Sequence, residues 1–463
     1  MKNMDMSPEE FRLAGHQVVD WIADYLAGVG EYPVLPNVKP GDIAAALPAH
    51  APESGEPMDR ILEDFRKIIV PGMTHWNHPR FFAYFAVSGS GPGILGEMLS
   101  AALNVNGMLW RSSPAATELE QVTLAWLREW MGLPPEFFGI IYDTASISTM
   151  HAIAAAREFA DPDARRRGVS GNLVLYASEH SHSSVDKGAI AVGIGQDQVR
   201  HVPANERFEM RADALAQMVE ADLAAGRKPF CIVATAGTTS TGSVDPIPEI
   251  AAIAHRHGIW LHVDAAYGGS AAIVPEFRDI LRGAERADSL VTNPHKWMLT
   301  PVDISVFYTR HPDILRRAFS LVAEYLKTPD GAINLMDYGV QLGRRFRALK
   351  LWFVMRYFGH QRLAAIIREH CEFAQRFADC LKADGRFEIL APVRLSVVCF
   401  RRKGSDESNR ALLDAINASG IAFLSHTVLN GTYVLRLAVG NVRTTWHDIE
   451  RVWDFIRTWT EKQ

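Results

Sequence analysis

The chain has 463 residues, with 48 lysines and arginines against 53 aspartates and glutamates, which gives a net charge of −5. This length allows several domains and a large buried core. A content of 48% hydrophobic and 22% charged residues is typical of a globular protein. The mildly acidic balance argues against nucleic acid or an anionic membrane surface as a partner. No apolar run approaches the roughly 18 residues that span a membrane, so we expect no membrane association.

The N-terminus and the cysteines indicate a cytoplasmic protein. Residues 1–8 are polar and lack the apolar region of a secretory signal. The cysteines are too few and too scattered for a disulfide framework or a CxxC metal site: Cys231, Cys371, Cys380 and Cys399. We therefore expect reduced thiols, a cytoplasmic location and no metal centre.

A helix is predicted near the N-terminus. Ser7, Pro8 and Glu10 form the pattern of an N-cap, a first-turn proline and a capping box. Apolar residues follow at helical spacing: Phe11, Ala14, Val18, Trp21, Ile22 and Tyr25. A proline-rich arm, Pro33–Pro57, comes next and cannot pack a core alone. The helix must bury its apolar stripe either on its own chain or on a partner subunit, and the pattern does not choose.

Residues 81–359 alternate between short apolar runs and amphipathic helical patterns. Buried strands are predicted at Leu173–Tyr176, Phe230–Ala234, Ile259–Val263 and Ile304–Tyr308. Helical patterns such as Arg211–Ala225 and Pro248–His257 lie between them. This alternation is typical of an α/β fold with a mostly parallel central sheet and helices on both faces. The last hundred residues, with strands predicted at Leu395–Arg401 and Tyr433–Val439, indicate a smaller α+β domain.

Four of the apolar runs lead into polar clusters. The side chains that stand out are His182, Thr239, Asp264 and Lys296, one after each run. Because the carboxyl ends of parallel strands share one edge of a sheet, we expect these groups to meet in one pocket. Each has an ordinary structural explanation when taken alone, and the four together suggest a site.

Lysine, aspartate and histidine together serve the chemistry of pyridoxal phosphate. A lysine amine forms a Schiff base with the cofactor aldehyde, and an aspartate keeps the pyridine nitrogen protonated so that the ring withdraws electrons. The cofactor's phosphate needs hydroxyls and backbone N–H groups at a helix N-terminus. The hydroxyl-rich run Thr144–Thr149 precedes a helical stretch, Met150–Phe159, and is therefore predicted to form a phosphate cup.

The motif Asn293–Trp297 resembles the cofactor-lysine signature of the group II pyridoxal-phosphate decarboxylases, specifically the aromatic-L-amino-acid decarboxylases. Other similar stretches extend the resemblance over nearly the whole chain: Pro71–Trp76, His78–Phe85, Ser113–Glu120, Trp260–Tyr267 and Leu342–Lys350. The resemblance implies the aminotransferase-like fold type I. It also implies an N-terminal arm that wraps a partner (1–85), a large cofactor domain (86–360), a small C-terminal α+β domain (361–463), and a homodimer with its active site at the interface.

The resemblance also implies cofactor contacts. Lys296 corresponds to the Schiff-base lysine, Asp264 to the partner of the pyridine nitrogen, and Ala266 to a residue packed on the ring. His182 corresponds to the histidine stacked on the other face, which also orients the substrate, with Thr239 as its hydrogen-bonding neighbour. The positions implied to bind phosphate are Thr144, Ala145, Ser146, Asn293 and His295.

The substrate side of the site rests on the same resemblance. Tyr325 corresponds to the loop tyrosine that protonates the carbanionic carbon after carbon dioxide leaves. The substrate pocket is expected at Trp76, Val87, Met108 and Gly343. Val87 and Met108 replace a hydroxyl and a ring that relatives commonly carry, which disfavours a catechol, whereas Gly343 leaves room for a large side chain. We therefore predict decarboxylation of phenylalanine, tyrosine, tryptophan or a related amino acid to its amine.

Two differences from the family fall close to the phosphate cup. Asp143 stands where relatives commonly have glycine, and Ile147 where they commonly have an acidic or small residue. A carboxylate beside a phosphate is electrostatically unfavourable. Asp143 is therefore expected either to point away, capping a helix, or to accompany a rearranged phosphate environment. The segment between Tyr325 and Leu342 is also shorter than in the animal enzymes.

The principal alternative is an aromatic aldehyde synthase on the same scaffold. Such enzymes divert the carbanion to oxygen and release aldehyde, ammonia and peroxide. Their usual marker is phenylalanine at the position of Tyr325, so the tyrosine favours the decarboxylase. A catalytically silent binding protein on this fold is a further alternative, which the intact Lys296 and Asp264 disfavour.

Two other enzyme classes have weaker support. Gly91–Gly96 matches the GxGxxG pattern of nicotinamide enzymes, but a lone match without a second strand and terminal acid is weak. His180 and His182 lack the third-ligand spacing of a metal hydrolase, which agrees with the prediction of no metal site.

Overall fold

The computed structural model describes residues 5–85, 87–321 and 332–462, and within them it contains two sheets. The strands are β1 (Phe138–Tyr142), β2 (Leu173–Ser178), β3 (Val199–Val202), β4 (Lys228–Thr235), β5 (Trp260–Asp264), β6 (Ser289–Thr292), β7 (Ser305–Thr309), β8 (Phe387–Ile389), β9 (Val397–Arg402), β10 (Ser425–Leu429) and β11 (Thr432–Ala438). The helices are α1 (Pro8–Gly28), α2 (Asp42–Ala46), α3 (Met58–Asp64), α4 (Gly91–Leu103), α5 (Pro114–Met131), α6 (Ala145–Ala160), α7 (Ala164–Arg167), α8 (Ser184–Ala191), α9 (Ala212–Ala224), α10 (Ile247–His257), α11 (Pro294–Trp297), α12 (Pro312–Phe319), α13 (Ala348–Asp384), α14 (Asp406–Ala418) and α15 (Trp446–Glu461). None of these helices is both long and apolar enough to cross a membrane.

The central sheet has the strand order β1-β7-β6-β5-β4-β2-β3. Only β7 runs antiparallel to its neighbours among these strands, so the predicted mostly parallel sheet is confirmed. The four strands predicted in this region are present as β2, β4, β5 and β7, with ends shifted by at most two residues. The antiparallel direction of β7 brings its first residue, Ser305, to the edge where the parallel strands end, opposite Tyr142.

Both faces of the central sheet are buried. Successive side chains of a strand point to opposite faces, and along β2 Val174 and Tyr176 enter one apolar core while Leu173 and Leu175 enter another. The first core includes residues of α5, α9, α10 and α13, and the second includes residues of α6, α8 and α12. The near-continuous apolar sequence of β2 therefore reflects burial on two sides.

The second sheet is antiparallel, with the order β10-β11-β9-β8. It packs with α13, α14 and α15 around a separate apolar core that includes Phe377, Phe400 and Leu435. The long helix α13 bends at Gly359, whose φ of 66° is left-handed. That bend lies one residue before the end of the segment predicted as the large domain, and the boundaries 1–85, 86–360 and 361–463 stay a prediction.

The N-terminal helix α1 begins as predicted. The Ser7 hydroxyl accepts the Glu10 N–H at 3.2 Å and the Glu10 carboxylate accepts the Ser7 N–H at 2.8 Å, which completes the capping box. The helix is only partly covered by its own chain. Trp21 packs edge-on against Phe65 at 4.8 Å, whereas Phe11 remains 68% exposed and no residue of α1 is fully buried.

The GxGxxG pattern at Gly91–Gly96 begins helix α4, which does not follow a strand. A Cβ on Gly96 would lie 2.8 Å from the Cα of Lys350, so this glycine allows α4 to approach α13 closely. Helix packing therefore accounts for the pattern, and no strand precedes it within residues 5–85 and 87–90, as a dinucleotide-binding loop would require.

Candidate active site

A cavity of about 170 Å³ lies at the carboxyl edge of the central sheet. The segments that follow β1, β2, β4, β5 and β6 all contribute to its wall. The ten positions predicted to contact the cofactor line it together: Thr144, Ala145, Ser146, His182, Thr239, Asp264, Ala266, Asn293, His295 and Lys296. The structure thus brings together the groups that the sequence predicted would meet.

Asp264 is the last residue of β5 and is held by its neighbours in the sheet. It pairs with Thr235 of β4 on one side and with Val291 of β6 on the other. One carboxylate oxygen accepts the Ala266 N–H at 3.0 Å. The turn after β5 therefore orients the carboxylate at the cavity wall.

Lys296 lies in the short helix α11, directly after β6. Its amine is 5.2 Å from the centroid of the Phe85 ring. Burial lowers the pKa of Lys296, the Asp264 carboxylate opposes that shift, and the Arg436 cation adds to it. A lowered pKa increases the fraction of neutral amine, which is the nucleophilic form.

His182 follows β2 in a tight turn. Its Nδ1 accepts the Ser184 N–H at 3.1 Å, so the neutral ring carries its proton on Nε2. Burial, followed by the charge of Lys296, lowers the pKa of His182, which keeps the ring neutral near pH 7. In the part of the chain that the structure describes, the predicted hydrogen bond between His182 and Thr239 is not formed, although both line the cavity.

Asn293 and His295 present two hydrogen-bond donors to the cavity. The Ser305 hydroxyl donates to Asn293 Oδ1 at 2.7 Å, which leaves the amide nitrogen free to donate. The Ile304 N–H donates to His295 Nδ1 at 3.0 Å, which places that ring's proton on Nε2. The two nitrogens face each other at 3.4 Å. A pair of converging donors needs a shared acceptor, so this corner fits an anion such as phosphate.

The start of α6 provides further anion-binding groups. The N–H groups of a helix's first turn have no intrahelical partners, and Ala145 and Ser146 present them at the cavity. Burial lowers the pKa of His295 to about 4, so the imidazole is neutral and binds through its N–H dipole. The donor set therefore fits the phosphate of pyridoxal phosphate.

Asp143 does not line the cavity, but it is hydrogen-bonded to Thr144, which does. One carboxylate oxygen accepts the Thr144 N–H at 2.5 Å and the Thr144 hydroxyl at 3.1 Å. The other oxygen accepts an N–H of the Gln341 amide at 3.2 Å. The N-cap of α6 is Thr144, and its hydroxyl makes no capping bond. The Asp143 carboxylate therefore accepts no N–H group of the first turn of α6, so the expected capping is not observed, and the rearranged phosphate environment stays a prediction.

The four predicted substrate residues do not line the cavity around Lys296. Trp76 stacks on Phe81 at 4.4 Å and lines a separate apolar groove beside α1. Met108 packs near Met336, and Gly343 is exposed. Val87 is partly buried away from the cavity wall. Tyr325 lies outside the described residues.

Arg436 lies near the site without lining the cavity, and the sequence did not predict it. This buried arginine of β11 donates to the carbonyl oxygens of Tyr84 at 2.8 Å and Ser240 at 2.9 Å. Its guanidinium carbon lies 5.1 Å from the Phe85 ring that Lys296 also approaches. Its Nη2 is buried without a hydrogen-bond partner among the described residues. One feature of the sequence could have indicated this residue: Arg436 is the single charged residue in the strand sequence TYVLRLA.

Comparison with known proteins matches this chain to one protein family. The model of the pyridoxal-dependent decarboxylase conserved domain matches residues 40–403. Aromatic-L-amino-acid decarboxylase of Catharanthus roseus is 42% identical over 98% of this chain and 95% of its own length. Phenylacetaldehyde synthase of Arabidopsis thaliana is 41% identical over 98% and 96%, respectively. The crystal structure of Catharanthus roseus tryptophan decarboxylase in complex with L-tryptophan, at 41% identity, matches with a TM-score of 0.95 over 99% of this chain and 100% of that one.

Proposed function

The chain belongs to the pyridoxal-dependent decarboxylase family, and on that basis we propose that it converts an aromatic L-amino acid to the corresponding amine and carbon dioxide. Its cofactor is pyridoxal 5′-phosphate. The observation that carries the proposal is the single cavity in which Lys296, Asp264 and His182 meet the donors of Asn293 and His295. Phenylalanine, tyrosine and tryptophan are the proposed substrates.

Three residues would hold the cofactor's reactive ring. Lys296 provides the amine for its covalent attachment, and burial favours the required neutral form. Asp264 keeps a proton on the pyridine nitrogen, and Ala266 leaves space for the flat ring. When bound, pyridoxal phosphate supplies an electron sink for the electron pair that carbon dioxide leaves behind.

Two further residues would orient the substrate. His182 offers an Nε2–H, because its Nδ1 is occupied by the Ser184 N–H. Arg436 lies beside the Phe85 ring, and its Nη2 has no hydrogen-bond partner within residues 5–85, 87–321 and 332–462. A guanidinium binds a carboxylate well. We propose that Arg436 binds the substrate carboxylate until the carbon–carbon bond breaks. Tyr325 then gives a proton to the α-carbon, by the resemblance of its segment to the family's loop.

We propose that a second copy of the chain completes the substrate pocket. The predicted positions Trp76, Val87, Met108 and Gly343 lie away from the chain's own Lys296 cavity. The exposed apolar side chains of α1, including Phe11 and Leu13, favour a homodimer in which this helix packs on the partner. The arm at 1–85 would then be the dimerisation segment, and the pocket would form where the two copies meet.

Subunit complementation tests this arrangement. We expect Lys296→Ala and Gly343→Trp each to abolish activity alone. A Cβ on Gly343 would lie 3.8 Å from the nearest atom, Asn106 Nδ2, so the fold accommodates a side chain there. Mixed and reassembled, the two variants should recover about a quarter of the normal activity, because half the dimers would carry one intact site. No recovery in proven heterodimers would place Gly343 outside the partner's site.

The reaction itself is tested by product analysis. The purified protein with added pyridoxal phosphate is incubated in air with phenylalanine, tyrosine, tryptophan, DOPA, histidine and glutamate, and mass spectrometry identifies the products. Amines from the aromatic members alone are expected. The second candidate, an aldehyde synthase, is favoured by the 41% identity to phenylacetaldehyde synthase. Aldehyde with peroxide as the main products would establish it and refute the decarboxylase.

We also propose a cytoplasmic location. All four cysteines are unpaired, and three of them are buried. This state is typical of a reducing compartment. Fractionation of the source cells with an antibody to this chain would test it, and recovery in a secreted fraction would contradict it.

A further inference from the structure

We propose that Asp143 is an internal competitor of the cofactor phosphate and sets the affinity of this protein for pyridoxal phosphate. The inference rests on the cofactor of the family, and it is independent of which amino acid is decarboxylated. It concerns a residue that departs from the glycine common at this position.

The competition follows from the hydrogen bonds of Thr144. This residue lines the cofactor cavity at the start of α6, where its backbone N–H and hydroxyl would face an anion. Both groups donate to the same oxygen of Asp143, at 2.5 Å and 3.1 Å. The phosphate therefore meets donors that are already satisfied, and it can use them only after these bonds to Asp143 break.

A second contact holds the carboxylate in place. The Gln341 amide donates to the other oxygen of Asp143 at 3.2 Å. Gln341 belongs to the segment that also donates from the Val340 N–H to His151 Nε2 at 3.1 Å, so it is anchored against α6. Asp143 is thus bound on both oxygens, and its negative charge stays next to Thr144 of the cavity wall, although Asp143 itself does not line the cavity.

Charge adds to the competition. A phosphate monoester carries nearly two negative charges at neutral pH, and the neutral His295 brings no positive charge to offset Asp143. Like charges at close range in a partly solvated site repel by an amount that corresponds to about tenfold in affinity. We therefore expect weaker cofactor binding than the remaining donors would otherwise provide.

The test compares cofactor binding by the apoprotein and two variants. Asp143→Asn removes the charge and keeps the shape, while Asp143→Gly also frees Thr144. Each is titrated with pyridoxal phosphate and with pyridoxal, which lacks the phosphate, and binding is followed by absorbance. Asp163→Asn, on an exposed side chain beyond the other end of α6, is the matched charge control. The rise in melting temperature caused by inorganic phosphate gives a second readout that does not involve Lys296.

We expect Asp143→Asn to bind pyridoxal phosphate about tenfold more tightly and pyridoxal with unchanged affinity. Inorganic phosphate should raise the melting temperature of Asp143→Asn more than it raises the melting temperature of the protein without the substitution. Equal affinities for pyridoxal phosphate in the unchanged protein and both Asp143 variants would overturn the proposal. So would an equal gain for pyridoxal, or an equal gain in Asp163→Asn. Failure of every form to bind pyridoxal phosphate would instead overturn the cofactor assignment, so the two failures are distinguishable.

Discussion

Replacing Ser305 by alanine should weaken cofactor binding although Ser305 does not line the cavity. The Ser305 hydroxyl links Ser148, at 2.8 Å, to the side-chain oxygen of Asn293, at 2.7 Å. Ser148 and Ser305 are fully buried, so water cannot replace the lost hydroxyl without entering the core. The bond to Ser305 defines which way the Asn293 amide points, and therefore which atom faces the cofactor.

The expected loss of cofactor affinity follows from the hydrogen bonds that Asn293 and His295 can make without the Ser305 hydroxyl. Without Ser305, the buried Asn293 oxygen loses its donor, at a cost of about 1–3 kcal/mol. A rotated amide regains a partner, because its oxygen can accept the Nε2–H of His295, whose nitrogen lies 3.4 Å from the present amide nitrogen. Rotation removes both donors from the phosphate. Hydrogen bonds to a charged group contribute about 1.5–3 kcal/mol each, so we expect at least a tenfold loss of affinity.

The assay is a titration of apoprotein with pyridoxal phosphate, with pyridoxal as the phosphate-free comparison. Ser289→Ala is the matched control, since Ser289 is also a fully buried strand serine, bonded to Trp260 Nε1 at 2.9 Å. Both variants should lose stability, and only Ser305→Ala should lose affinity for pyridoxal phosphate. Unchanged affinity in folded Ser305→Ala, or an equal loss in Ser289→Ala, would refute the reasoning.

Three further outcomes are expected. Tyr325→Phe should lower amine formation and raise aldehyde formation, measured by mass spectrometry, because the α-carbon loses its proton donor. Arg436→Lys should lower kcat/KM about tenfold or more, since an ammonium cannot reproduce the bonds of the guanidinium to a carboxylate, while the absorbance of the bound cofactor stays unchanged. Acidification from pH 7 to pH 5 should lower the urea concentration at the unfolding midpoint, because buried neutral imidazoles resist protonation in the folded state.

The sign of the acid effect depends on opposing groups. Five buried histidines have pKa values lowered from 6.5 to about 4: His78, His151, His262, His295 and His370. Between these values the unfolded chain binds protons that the folded chain refuses, so each imidazole destabilises the fold by up to about 1.4 kcal/mol per pH unit. Burial raises the pKa of Asp245 to about 6, and this group stabilises the folded state as pH falls. Because five imidazoles destabilise the folded state and one carboxyl stabilises it, the folded state loses stability as pH falls from 7 to 5.

Each of these expectations has a contrary result. Unchanged amine output from Tyr325→Phe would remove that residue from the proton-transfer step. An Arg436→Lys variant with normal kcat/KM would show that the guanidinium does not bind the substrate carboxylate. An unfolding midpoint that stays constant or rises from pH 7 to pH 5 would mean that the buried histidines are protonated in the folded protein.

Local patterns in the sequence predicted much of this molecule. The Ser7 capping box, the short apolar runs and the polar residue after each run are properties of short segments, and they predicted α1, the central strands and the meeting of His182, Thr239, Asp264 and Lys296. The remaining cofactor positions that line the cavity were implied by the family resemblance. Helix ends were less accurate. Helix α6 begins at Ala145, five residues before the predicted stretch, because small hydroxyl residues serve equally well in a first turn and in a loop.

Other features depended on pairing between distant segments. The antiparallel direction of β7 places Ser305 under the phosphate corner, and nothing within residues 305–309 encodes that direction. Arg436 reaches the Lys296 region from the second sheet, 140 positions along the chain, and only the packing of the two sheets brings them to the same ring. The separation of Gly343 and Met108 from the cavity is likewise a matter of tertiary structure.

The sequence by itself determined the chemistry, because the identities of Lys296, Asp264 and His182 and the motifs around them carry it. Only the tertiary structure decided the orientation of those side chains and the shifts in the pKa values of Lys296 and His182. The proton positions on His182 and His295 follow from the N–H groups of Ser184 and Ile304, two and nine positions along the chain. The burial of each ring and the charges around it come largely from atoms in distant segments. Those atoms become neighbours only when the sheets and helices pack, since the low-dielectric interior that shifts each pKa exists only in the folded protein.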